Sequence, residues 1–140
     1  MKKYFNLAII YAILAMISGV FYREFTKFLD FEGTTTLAFT HIHFFVLGTI
    51  MFLILALFSM HTDLEKIKGM RNAIILYNIG LPLMVFMFYV RGILQVMGYD
   101  LSAAMNASLS GVAGISHIIL GVAIVWILMC LKKVKIGLKS

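Results

Sequence analysis

Four apolar runs, each long enough to cross a bilayer, leave this chain few folds to choose from. They cover roughly Phe5–Tyr22, Leu37–Met60, Ala73–Met97 and Ala107–Leu131. A hydrocarbon layer of about 30 Å needs about 20 residues of α-helix at 1.5 Å each. The predicted fold class is therefore all-α: one domain over residues 1–140, a polytopic membrane protein built as an up-down bundle of four transmembrane helices. Short connections make consecutive helices antiparallel neighbours. The first run follows Met1-Lys2-Lys3, but it is long, lacks a small-residue cleavage site and leads into Arg23-Glu24-Phe25, so it reads as a retained helix.

Charge sets the orientation. Lys2, Lys3, Lys66, Lys68, Arg71, Lys132, Lys133, Lys135 and Lys139 fall on one side of the four runs, and only Arg23 and Lys27 on the other. The positive-inside bias predicts both termini in the cytoplasm, with the Arg23–Thr36 and Gly98–Asn106 loops facing outward; the bacterial inner membrane as location is what the family resemblance given below implies. That topology accounts for the net charge of +6, so the basic excess does not read as nucleic-acid binding. A chain that is 62% hydrophobic has membrane lipid as its surroundings. Its single cysteine, Cys130, excludes an intrachain disulfide, a C-x-x-C redox pair and a C-x-x-C-H haem attachment.

Ionisable side chains at membrane depth are costly and mark sites. His41 and His43 lie in the second run; at about 100° per residue they point to opposite sides of the helix, so each needs its own partner. His117 lies near the middle of the fourth run with Gly114 at i−3 and Gly121 at i+4, which predicts a flat slot beside its imidazole. Gly48, seven residues after His41, is expected to clear that histidine's face in the same way. His61, at the end of the second run, reads as an interfacial residue. In the third run Pro82 marks a kink, with Asn78 placed to satisfy the carbonyls it frees.

Zinc suits imidazole, but no Cys, Asp or Glu lies at membrane depth to complete its ligand set. Haem b fits better, since it needs one or two imidazoles, an apolar slot and basic groups for its propionates. His43 or His41, together with His117, are the predicted ligands of the haem iron. Arg91 with Gln95 at i+4, and Arg23 at the outer surface, are the predicted propionate partners; pairing of Arg91 with a loop carboxylate or helix-end carbonyls is the structural alternative. No Ser-His-Asp set, P-loop, HExxH or paired intramembrane carboxylate is present, which leaves hydrolytic and phosphoryl chemistry without support. An electron carrier with unidentified donor and acceptor is the leading reading. A transporter or channel-like path for a metal ion, a proton or a small anion is the alternative, and a structural or accessory membrane subunit the third reading.

Two resemblances bear on this. Over its whole length the chain resembles a family of small, uncharacterised four-helix bacterial membrane proteins, through Tyr22–Lys27, His41-x-His43, Tyr77–Gly80, Arg91–Gln95 and Ser110–Gly121. Locally, His41-Ile42-His43-Phe44-Phe45-Val46-Leu47-Gly48 resembles the haem-ligand helix in the catalytic subunit of haem-copper oxidases. There an H-x-H motif on the second helix of a four-helix arc serves two haems, and basic residues on the third helix hold propionates; Arg91 is similar to these. The resemblance implies haem binding, and three arcs around one axis imply a homotrimer of this chain, with a dimer next. It does not extend to copper: positions i+4 from the two histidines are Phe45 and Leu47, and the third run has no histidine.

Overall fold

The computed structural model describes residues 1–134, so Lys135 and Lys139 of the basic tail lie outside the described residues. Helix α1 spans Lys2–Phe28 and α2 spans Ala38–His61. After a short 3-10 turn at Leu64–Lys66, α3 spans Met70–Val96 and α4 spans Ala103–Leu131. All four are long and apolar enough to cross a membrane. The fold is an all-helical, up-and-down transmembrane bundle, and it brings Met1 and Val134, the first and last described residues, to one end, called proximal here. There Lys3 Nζ meets Glu65 Oε1 at 2.8 Å, joining α1 to the α2–α3 connection. The opposite end is called distal.

Helix α1 runs past Tyr22 through Arg23, Glu24 and Lys27, because charged residues at a helix end project outward without breaking the backbone ladder. It stops at Leu29 and Asp30, the latter with φ 46°, a conformation that Asp tolerates better than most residues. Gly69 and Gly98, both at positive φ, bound α3. At Ser102 the hydroxyl accepts from Met105 N and starts α4. Helix α3 continues through Pro82 without a break.

Packing is uneven around the bundle. Helix α1 lies along the whole of α2, α2 touches α3, and α4 leans chiefly on α3. Two side-chain hydrogen bonds tie α1 to α3: Tyr11 Oη to Asn78 Oδ1 at 2.8 Å and Tyr89 Oη to Ser18 Oγ at 2.7 Å. The Asn78 amide also donates to Ile74 O, so Asn78 fastens α3 to α1. Tyr11, Phe52 and Tyr77 form an aromatic core, with Tyr11 stacked on Phe52 at 5.6 Å and Tyr77 edge-on to it at 5.7 Å. Cys130 is buried against the proximal end of α3.

The middle of α2 is not α-helical. Phe44–Ile50, immediately after the two histidines, forms a π-helix. Its wider turn leaves carbonyls without their ordinary partners, and Tyr77 Oη donates to one of them, Leu47 O. Such segments are rare and gather at functional sites.

Candidate functional site

The two histidines of α2 part company as their spacing predicts. His43 faces α3, where it meets Phe88, and His41 faces α1. His43 Nδ1 lies 2.7 Å from Phe39 O, four residues earlier. His117, on α4, repeats the arrangement with its Nδ1 2.7 Å from Ala113 O. A carbonyl only accepts, so in both rings the proton sits on Nδ1 and the Nε2 lone pair is directed away from the parent helix. This is the pre-set tautomer of a metal-ligating imidazole whose other nitrogen is held by backbone. Both rings meet Phe88 of α3 edge-on, His43 at 4.8 Å and His117 at 5.8 Å between ring centres.

One turn distal to Phe88 lies Arg91. Its Nη2 donates to Ser110 Oγ at 2.7 Å and to Asn106 Oδ1 at 3.1 Å, both on α4. The loop-carboxylate alternative is thereby corrected: the partners are neutral side chains, and among the described residues no ion pair includes Arg91. Asn106, Ser110, Gly114, His117 and Gly121 follow one another at spacings of three and four, which puts them on one face of α4. A Cβ added at Gly114 or Gly121 meets nothing within 4 Å, so the surface beside His117 is open and flat. His117 itself is exposed.

Three other predicted members are placed elsewhere. Gly48 does not clear His41's face: a Cβ there would lie 2.5 Å from both Cβ and Cγ of Tyr11, so that space belongs to the α1–α2 contact. Gly48 and His41 both look at α1, His41 beside Gly19 and Gly48 beside Tyr11, so α1 itself fills the space the spacing of seven predicts to be clear. Gln95 Oε1 accepts from Thr36 N at 2.9 Å, docking the distal loop on α3. Arg23 is exposed on α1 beside Glu24, at 3.8 Å. His61 is exposed at the end of α2.

Several residues in this arrangement carry no motif. The run Thr34-Thr35-Thr36 locks the loop onto α3 through Thr35 Oγ1 to Gly92 O at 3.1 Å and Thr36 Oγ1 to Phe88 O at 2.8 Å. Gly92 permits it, since a Cβ there would stand 2.7 Å from Leu37 N. Ser110 and Asn106 were legible only as polar positions seven and eleven residues before His117. Phe88 gave no signal among twelve phenylalanines.

Among the described residues no three His, Cys, Asp or Glu side chains gather to hold a metal ion. A bare ion bound by protein ligands alone therefore has no set here, whereas a porphyrin brings four nitrogens of its own and asks for one or two imidazoles. No curated protein and no solved structure matches the chain. Residues 1–134 match the family described as "Protein of unknown function (DUF2871)", and the chain belongs to that family.

Proposed function

We propose that this DUF2871 member is a haem b-binding protein of the bacterial inner membrane that serves in electron transfer. The haem would occupy the face shared by α2, α3 and α4, with His43 and His117 offering Nε2 to the iron and Arg91 reaching a propionate. The observation that carries the reading is the shared preparation of two imidazoles from different helices. Each has Nδ1 fixed to its own backbone at 2.7 Å, each packs edge-on against Phe88, and each leaves Nε2 free at membrane depth. The arginine one turn away has three of its five N–H donors unassigned to protein acceptors, since only Nη2 is engaged. Haem bound there would supply one-electron redox chemistry; the chain's own residues would orient it and keep its ring in an apolar slot. The local resemblance to the haem-ligand helix of haem-copper oxidases points the same way.

The face is open along the α3–α4 seam, where His117 is exposed, and an imidazole and a guanidinium there face hydrocarbon in a lone chain. Closed assembly of identical subunits, a trimer before a dimer, would cover it.

Oxidised and reduced absorption spectra of detergent-purified protein, before and after addition of haemin, test the reading. The expected result is a Soret band that shifts on reduction and is lost or altered in His43→Ala and His117→Ala but unchanged in His61→Ala. Haem spectra identical in all three variants, or no saturable haem uptake, would sink it.

A further inference from the structure

The π-helix of α2 has two sets of hydrogen bonds open to it, and the structure shows one of them. In an α-helix the N–H of Met51 would bond to Leu47 O, four residues earlier. Here it turns to Val46 O and Gly48 O. Leu47 O is taken by the hydroxyl of Tyr77, a fully buried residue of α3 whose ring stands edge-on to Phe52. A hydroxyl from another helix thus meets the carbonyl that the widened turn releases.

A second hydroxyl is left unmet by the same turn. Thr49, inside the π-helix, is buried, and its Oγ1 has no hydrogen-bond partner among the described residues. The other buried serines and threonines of the helices differ: Ser18 donates to Leu14 O, Thr40 to Leu37 O and Ser116 to Ala113 O, three or four residues back. An α-turn would offer Thr49 the same kind of bond, to Phe45 O. A buried hydroxyl without a partner is costly, so Thr49 favours α-helix where Tyr77 favours the π-turn. In the register shown, Tyr77 is satisfied and Thr49 is not. In an α-register Met51 N–H would reclaim Leu47 O, Thr49 would gain Phe45 O, and Tyr77 would lose its acceptor.

The choice between the two reaches the histidines. Closing the wide turn takes about one residue out of the register, which rotates Ala38–His43 against Met51–His61 by about 100°. That rotation is enough to take His43 off Phe88 and His41 off Tyr22, the aromatic neighbours they have here. We propose that α2 is a register switch with Tyr77 as its latch: the bond from Tyr77 Oη to Leu47 O holds the π-turn against the pull of the Thr49 hydroxyl, and so sets where His41 and His43 point. The switch belongs to the haem-free chain, whether or not His43 ligates haem.

Spin labels at Ile42→Cys and Phe58→Cys, with Cys130→Ser to remove the native thiol, read the register as an electron–electron double resonance distance in nanodiscs. Both labelled positions are exposed and flank the π-helix on α2. One distance is expected for the full-length, haem-free protein. Tyr77→Phe removes only the hydroxyl and should add a second narrow distance about 5 Å longer, from one residue of rise and about 100° of rotation. The ratio of the two states should move about tenfold, the worth of one hydrogen bond. Thr49→Val keeps the shape of the side chain and should leave the first distance alone; combined with Tyr77→Phe it should return the ratio by about tenfold. An unchanged distance in Tyr77→Phe, a broad distribution in place of a second narrow distance, or a longer distance that Thr49→Val does not reverse would overturn the proposal. Haemin titration of the same samples judges the haem reading separately, since a register change without haem uptake defeats only that reading.

Discussion

Arg91 of α3 is held by Ser110 of α4 at 2.7 Å, a cation gripped by a hydroxyl with no carboxylate in reach among the described residues. The contact fixes where the guanidinium stands and leaves its charge to be met by something else. A neutral partner contributes a hydrogen bond of roughly 1.5–3 kcal/mol to a charged donor; a buried ion pair broken on one side costs about 3–5 kcal/mol.

Arg91→Leu is therefore expected to lower stability of the haem-free protein by about 1.5–3 kcal/mol, the worth of its hydrogen bonds, and by no more because no partner charge is stranded. The same substitution should weaken haem retention strongly, and Arg91→Lys should restore it in part, an ammonium lacking the bidentate fork. Haem occupancy measured by pyridine haemochrome and apoprotein melting in detergent separate the two effects. Full occupancy in the leucine variant would make Arg91 a structural residue.

Gly48 offers a test of the close α1–α2 approach. Added Cβ atoms at this position meet the root of the Tyr11 side chain at 2.5 Å, which cannot move without moving α1. Gly48→Ala should destabilise by about 1–3 kcal/mol, the usual cost of overpacking. Gly121→Ala, with nothing within 4 Å, should change stability by no more than about 0.5 kcal/mol. In the double variant Tyr11→Gly/Gly48→Ala the clash disappears, because glycine at position 11 also removes the Cβ, so the two losses should not add. Additive losses would show that the glycine is not there for Tyr11.

At the proximal end, the Lys3 ammonium beside Glu65 holds that carboxyl below the usual carboxylate range, chiefly by a direct hydrogen bond and next by charge. A lowered folded pKa means the contribution is present above the unfolded value and fades as pH falls through the folded one. Glu65 is fully exposed, so the effect is small and screened by salt. Wild-type protein should lose slightly more thermal stability than Glu65→Gln as pH drops from about 5 towards 3, and the difference should shrink in high salt. Parallel pH profiles of the two proteins would remove the pair from the account of the fold.

Assembly is the remaining prediction. His117 and the bare face of α4 should be covered in a closed homo-oligomer, with the trimer as the expected species in native mass spectrometry from detergent. His117→Leu is expected to alter the haem spectrum, whereas Ile118→Trp, on an exposed neighbouring position of the same helix, should break up the oligomer. A monomer that carries full haem would defeat the assembly.

The sequence by itself determined the number of spans, their antiparallel order and the divergence of His41 from His43. Each of these follows from a one-dimensional quantity: apolar run length against bilayer thickness, connection length, or 100° per residue along one helix. The helix ends were less legible, as α1 shows by continuing to Phe28, because charged residues mark the end of hydrocarbon and not the end of a helix. Only the tertiary structure decided which side chains meet across helices. In a membrane helix nearly every face is apolar, so hydrophobic periodicity does not say which face looks at a neighbour. Phe88 between α2 and α4, Ser110 and Asn106 on Arg91, and the seating of α4 against α3 depend on helix rotation set by packing. The π-helix is of the same kind: no residue count along the chain reveals that the turn after His43 widens, or that Tyr11 of α1 fills the space beside Gly48.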